Sequence, residues 1–458
     1  MPAARIRTKE TVSERPARAW STAYHAAWVL PISSEPIRDG AVVVEDGRIR
    51  WVGRRDDMPD ATHAHVHELG DAILAPGLVN AHTHLDLTAL RGLLDGESFF
   101  GWIRAVVESR DVLTPAEQLS SARAGVLEGL EAGITTFADT APSSTAFEAM
   151  RELGARGIAY IETFGPHPAQ VDASLAALRE RIGTLRPLET PLVRLGVSPH
   201  APYSVSDALY AAVADFARAE RLPLAMHVAE SEAESELVAA GQGPFATLLQ
   251  GRGIDTAPRG RSPVAMLEAN RVLGSDALLI HCVRCDAADI ATIARADAAV
   301  VTCPYSNRYF GHGRAPVREL LAAGVRVGAG TDSMASNARM DLLIEAHTAL
   351  GGRADDWPAA WELCTLGAAR ALGLDEEIGT LEAGKAADLT AFGVSHAEAT
   401  TDQPPWEVPP ARKALLTTVA GVDRVRNRRF SGDEAGITVR AAAAAAQLRE
   451  WRRRGQRT

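Results

Sequence analysis

The sequence predicts an α/β fold: a (β/α)8 TIM-like barrel with a small β-sandwich domain formed from both chain termini. Three observations point to it. Eight short apolar runs alternate with helical stretches through the middle of the chain. Strand-and-turn patterns flank that region on both sides. The 458 residues are enough for a barrel of ~250 residues and an accessory domain.

The elements follow in order. Residues 1–75 form the N-terminal part of the sandwich, with AAWVLP, AVVVEDGRIRWVG and VHELGDAILA as strands and Asp46-Gly47 as a hairpin turn. Residues 76–378 form the barrel. Its apolar runs are 77–84, 134–139, 157–164, 193–200, 223–230, 277–283, 299–306 and 325–332. Segments such as PAEQLSSARAGVLEGLEAG repeat apolar residues at the helical period, and strands alternating with helices imply a parallel sheet. Residues 379–437 return to strands and turns, interrupted by the proline-rich QPPWEVPP, and complete the sandwich. Residues 438–458, alanine-rich and ending in arginines, form a helix whose basic end suits the helix dipole.

Composition bounds the partners. Hydrophobic residues make up 46% and charged residues 23%, a globular balance, and the net charge of -10 argues against nucleic acid or an anionic membrane. No run approaches the ~20 apolar residues of a membrane span. The first residues lack the apolar core of a secretory signal, and only four cysteines occur, so a cytoplasmic location is expected. Cys282 and Cys285 have the spacing of half a zinc site, but no second pair exists, and Cys282 reads as core.

In such a barrel the chemistry lies at the C-terminal ends of the strands. His82 and His84 end the first strand and, two apart, face the same side. Glu162 ends the third strand, His200 the fourth, His227 and Glu230 the fifth, His281 the sixth and Asp332 the eighth. Neutral imidazoles with a carboxylate make a zinc donor set. His63, His65 and His67 alternate equally well, but they precede the barrel and read as one solvated strand face. Phe99, Phe100 and Trp102 are candidate walls for an aromatic ligand. Tyr203, Ser306 and Asn307, at strand ends, are candidate substrate contacts.

The stretches APGLVNAHTHLD (75–86), SPHAPYS (198–204), HVAE (227–230), LLIHC (278–282), CPYSN (303–307), GTDSMASN (330–337) and GTLEAGKAADL (379–389) together resemble the amidohydrolase superfamily. The only lysines are Lys9, Lys385 and Lys413, which excludes the subclass bridged by a barrel lysine. The mononuclear deaminase subclass that remains implies His82, His84, His227 and Asp332 as metal ligands, one Zn2+ per subunit with Fe2+ as the alternative. It implies Glu230 as the proton shuttle, with His281 and Asp332 beside the attacking water. Zinc lowers the pKa of water toward ~7, and the carboxyl of Glu230 can carry its proton to a ring nitrogen. His200 would contact the purine, with Glu162, Ser306 and Asn307 as further substrate contacts. GTDSMASN resembles the aminodeoxyfutalosine deaminases, whose small-molecule nucleoside belongs to the futalosine route to menaquinone. The alternatives are deaminases of adenosylhomocysteine, methylthioadenosine or guanine, and chlorohydrolase-type hydrolases. Arg91, Arg284, Arg308 and Arg339 are candidate partners for a substrate carboxylate. Arg284 departs from the histidine of related deaminases. The resemblance suggests a homodimer.

Overall fold

A computed structural model describes residues 21–59, 65–407 and 413–455. Five strands precede the barrel: β1 (Ser21–Val29), β2 (Ile37–Glu45), β3 (Arg48–Arg54), β4 (His65–Glu68) and β5 (Ala72–Pro76). The barrel follows as β6 (Leu78–His84), β7 (Ile134–Ala141), β8 (Arg156–Thr163), β9 (Val193–Pro199), β10 (Leu224–Val228), β11 (Ala277–His281), β12 (Ala299–Thr302), β13 (Val327–Ala329) and β14 (Asp332–Ser333). After it come β15 (Leu389–Gly393), β16 (Leu416–Val419), β17 (Val422–Arg426) and β18 (Arg429–Phe430).

The barrel strands pair parallel in chain order, and β14 returns to pair with β6, Asp332 opposite Thr83 and Ser333 opposite His84. The ring thus closes as a (β/α)8 barrel. Its seventh run leaves the sheet at Thr302 because Pro304 opens the helix Pro304–Tyr309. Its eighth run splits in two. A Cβ on Gly330 would stand 2.9 Å from the backbone of His82, so only glycine lets the strand approach there. Where the ladder breaks, Asn80 substitutes for it: Oδ1 accepts from the Thr331 N–H at 3.0 Å, and Nδ2 donates to Thr331 Oγ1 at 2.8 Å. The broken strand delivers Asp332 to the same rim as His84.

The second sheet joins both ends of the chain. β5 runs antiparallel to β15, with Leu389 opposite Pro76 and Gly393 opposite Ala72. The Ile49 N–H donates to the Lys385 carbonyl at 2.9 Å and Arg48 bridges Ala386, so β3 curls back toward the C-terminal half. Tyr24, Val29, Val42, Ile49, Leu74, Leu389 and Leu416 fill the enclosed core. Arg156, at the start of β8 and 3% exposed, ties barrel to sheet. Its Nε and Nη2 donate to Asp388 at 2.8 and 3.0 Å, and its Nη1 to Glu377 at 2.9 Å.

The C-terminal helix spans Glu434–Gly455 and starts before the expected 438. Gly436 in its first turn lowers the local propensity and masks the start in the sequence, while Asp433 accepts from the Gly436 N–H at 2.9 Å. Leu448 packs with Leu90, Leu94 and Leu113, and Arg452 pairs with Glu97 just ahead of the helix Phe99–Arg110. On β4, His65 is exposed while His67 lies against the Tyr24 ring at 5.1 Å; His63 lies outside the described residues.

Candidate active site

Alternation on β6 turns both His82 and His84 inward, their rings edge to face at 4.8 Å. His227 at the end of β10 and Asp332 of β14 complete a cluster at one rim. Asp332 Oδ1 lies 3.6 Å from Nε2 of both His82 and His84. His84 Nδ1 faces the Thr140 carbonyl at 2.6 Å, and His227 Nδ1 faces the His200 carbonyl at 3.1 Å. Carbonyls only accept, so each Nδ1 carries the proton and each Nε2 a lone pair. Those two Nε2 atoms stand 3.3 Å apart. Among the described residues His82 has no hydrogen-bond partner on either ring nitrogen, although both are buried. Converging lone pairs around a carboxylate repel one another unless a cation sits among them. Two triads of donor atoms fit a metal ion here, His82–His84–Asp332 and His82–His227–His281, and a third, Glu162–His200–His227, adjoins them. The donor set is that of zinc.

Local electrostatics keep these groups in metal-binding form. Burial pushes His82 down to about 4. Burial and the rings of His200, His82, His84 and His281 hold His227 well below its ordinary value. Asp332 feels burial upward, but its contact with His82 and the charges of His82, His281 and His84 hold it far below the usual carboxylate range. His84 is the exception: burial lowers it, yet Asp332, Glu162, Asp139 and Asp86 raise it on balance.

Backbone geometry aims the rest. Ala229, His281, Cys282 and Asp332 all take left-handed backbone angles, φ +52, +75, +47 and +57, where the strands turn into the rim. Such strain gathers at functional sites. Glu230 follows Ala229 and is buried; burial, Asp332 and Glu234 push its carboxyl well above the ordinary value. Glu234, fully buried, accepts from the N–H groups of Ala229 at 2.7 Å and Glu230 at 3.2 Å, fixing that turn. His281 Nδ1 donates to Asn307 Oδ1 at 2.9 Å, and its Nε2 lies 3.6 Å from Glu230 Oε1.

The cluster forms the floor of a cavity of about 1100 Å³. His84, Glu162, His200, His227, Glu230, His281 and Asp332 line it, as do Phe99, Phe100 and Trp102 of the Phe99–Arg110 helix. Tyr203 stacks on Phe245 at 4.0 Å, and Phe164 sits 5.0 Å from the His200 ring. Burial pushes His200 down to about 3 and raises Glu162, whose Oε1 has no hydrogen-bond partner among the described residues.

Ser306 and Asn307 do not line the cavity. The Ser306 hydroxyl is spent on Ser336 at 3.0 Å, and Asn307 faces the back of His281, so both sit behind the ring of functional side chains. The four arginines expected to meet a substrate carboxylate are also absent from its walls. Arg91 pairs with Glu128, Arg284 with Glu232, and Arg308 lies over the Tyr305 ring at 4.3 Å; the Arg339 backbone N–H donates to Asn337 Oδ1 at 3.1 Å. Arg104, Arg110 and Arg252 line the cavity instead. Arg104 pairs with Glu108 and Arg110 with Asp86, both at 2.7 Å, whereas Arg252 has no ion pair among the described residues. Sequence reasoning missed these three because they sit on helical walls and a helix exit, away from strand ends. It also missed His312, whose Nε2 lies 3.7 Å from Glu230 Oε1; the flanking Gly311 and Gly313 mark a tight loop but no chemistry.

Residues 73–427 match the model of the amidohydrolase family. The chain is 33% identical over 375 residues to the 5-methylthioadenosine/S-adenosylhomocysteine deaminase of Moorella thermoacetica, covering 79% of this chain and 83% of that protein. It is 36% identical over 321 residues to the aminodeoxyfutalosine deaminase of Deinococcus radiodurans, covering 67% and 74%. Among solved structures, the adenosine deaminase of Xanthomonas campestris with bound zinc is similar, with a TM-score of 0.81 and 25% identity over 94% of this chain and 98% of that one.

Proposed function

The chain belongs to the amidohydrolase family, and from that premise we propose that it is a zinc-dependent hydrolytic deaminase of an adenine-type nucleoside, with aminodeoxyfutalosine as the substrate it serves best. The observation that carries the reading is the buried histidine–carboxylate cluster at the floor of a cavity of about 1100 Å³. Ligand cavities commonly span ~300–1,000 Å³, so this one has room for a nucleoside and a bulky arm. Its relatives include deaminases of such nucleosides.

On this reading His82, His84, His227 and Asp332 hold the ion, with iron as the alternative. Zinc, when bound, supplies the positive charge that makes water acidic enough to react near neutral pH. The protein's residues do the remainder. Glu230, kept protonatable by burial, hands its proton to the ring nitrogen that gains electron density during attack. His281, fixed by Asn307, presents Nε2 beside that carboxyl. His200 and Glu162 face the purine. Phe99, Phe100, Tyr203 and Phe245 give an arm apolar and stacking surface, and Arg252 gives a carboxylate on that arm a guanidinium with no ion pair among the described residues.

A second reading, deamination of adenosylhomocysteine, is favoured by the Arg104–Glu108 pair in the cavity wall, which matches a zwitterionic tail. The deciding experiment measures ammonia release from aminodeoxyfutalosine, adenosylhomocysteine, methylthioadenosine, adenosine and guanine. The highest kcat/KM is expected for aminodeoxyfutalosine. Release from none of them refutes the deaminase reading. Glu230→Gln should keep its zinc and lose roughly 10²–10⁴-fold in kcat.

A further inference from the structure

Glu230 Oε1 has two imidazole neighbours, and their hydrogen-bonding states differ. His281 gives its Nδ1 proton to Asn307, so as a neutral ring it meets Glu230 with a lone pair. It can receive a hydrogen bond from a protonated carboxyl but cannot offer one to a carboxylate. The second neighbour is His312, whose side chain is 8% exposed. Its Nε2 is buried without a hydrogen-bond partner among the described residues and stands 3.7 Å from the same oxygen. Leaving a buried polar atom unpaired is costly, so such an atom is rarely left without a role.

The surroundings aim this ring. Its backbone N–H donates to the Asn307 carbonyl at 2.9 Å, so Asn307 fixes both imidazoles, one through its side chain and one through its backbone. The Phe99 ring meets His312 edge to face at 4.5 Å, and Phe310 lies against it at 5.4 Å. Burial, with His281 and Arg284 nearby, keeps the imidazole neutral. Gly311 at φ +70 and Gly313 at φ +116 take backbone angles that favour glycine, which lets the tight turn present the ring to Glu230. Catalytic hydrogen bonds are commonly long before substrate arrives and tighten in the complex.

We propose that His312 is a positioning residue for Glu230, its Nε2–H supplying the hydrogen bond that the carboxylate needs and His281 cannot give. The proposal rests on the role assigned to Glu230 above. Glu230 then has a partner in each state, His281 when protonated and His312 when ionised.

The test compares His312→Phe, which keeps an aromatic ring against Phe99 and Phe310 but removes the donor, with His312→Gln, which keeps an N–H donor. The nucleoside is whichever the wild type turns over, and zinc content and Tm are measured alongside. His312→Phe should lose about 10²-fold in kcat with KM nearly unchanged, and His312→Gln should recover most of that loss. In a Glu230→Gln background, His312→Phe should add little, because both act through one carboxyl. Wild-type kcat in His312→Phe, equal losses in both variants, or losses that multiply with Glu230→Gln overturn the proposal. A second readout needs no turnover. In spectra of 15N-histidine-labelled protein, the His312 Nε2 resonance should move in Glu230→Ala, and an unmoved resonance also overturns it. Failure of the wild type to release ammonia would count against the deaminase reading alone.

Discussion

Glu234 never touches the cavity, yet it should govern both stability and turnover. Its carboxyl group holds the N–H groups of Ala229 and Glu230, and Ala229 has the left-handed backbone that turns Glu230 toward the rim. Glu234→Leu leaves two buried donors unpaired. At about 1–3 kcal/mol each, the loss of stability is about 2–6 kcal/mol, and kcat falls as Glu230 loses its fixed position. Glu234→Gln keeps one acceptor and should lose less. The carboxyl also predicts a pH dependence. Burial raises it from 4.5 to about 7. Unfolded chains therefore release this proton near pH 4.5, while the folded protein keeps it until about pH 7. In that window the unfolded state binds fewer protons, so stability falls as pH rises. The contribution is complete below 4.5, is lost by about 7, and amounts to about 3 kcal/mol. Urea denaturation of wild type and Glu234→Gln across pH 5 to 8 isolates it, since other groups titrate alike in both. The wild type should lose stability relative to the variant as pH rises. A pH-independent difference, or a Glu234→Leu protein as stable as wild type, refutes the reasoning.

Other tests reach other parts of the molecule. Removing the metal with a chelator should lower Tm, because the lone pairs of His84 and His227 then face each other uncompensated; at a metal concentration of 1,000 Kd the stabilisation lost is about 4 kcal/mol. Unfolding that ignores chelator and zinc alike would contradict a metal centre. Arg156→Met strips Asp388 of its buried partner and should cost about 3–5 kcal/mol in denaturant unfolding, partly recovered by adding Asp388→Asn. An unchanged midpoint would show that the pair does not brace barrel against sheet. Arg252→Ala should raise KM about fivefold for a nucleoside with an anionic arm, a solvent-exposed pair of ~1 kcal/mol, and leave methylthioadenosine unaffected. Equal effects on both would remove Arg252 from substrate recognition.

The floor of the site was legible in the sequence because strand ends obey a simple rule. Period-two alternation and the common C-terminal rim bring His82, His84, His227, Glu230, His281 and Asp332 together in the structure. The same rule misplaced Ser306 and Asn307. A strand end says which rim a residue occupies, but not whether it faces the cavity or the back of another side chain. The walls were less legible still. Phe99, Phe100 and Trp102 were marked by aromaticity alone, while Arg104, Arg110, Arg252 and His312 owe their places to packing between segments far apart in the chain. Composition carries no trace of such contacts. Asn80 is a further case: its two hydrogen bonds to Thr331 repair the broken eighth strand, 251 residues away.

The pairing of β5 with β15 sets a schedule for synthesis. Residues 72–76 leave the ribosome long before residues 389–393 exist to receive them. Until then Ile73 and Leu74, wholly shielded in the finished protein, present a bare strand edge to the cell. The nascent chain must carry that sticky border through the making of the whole ring, so truncation after residue 76 and before residue 389 yields a product inclined to self-associate.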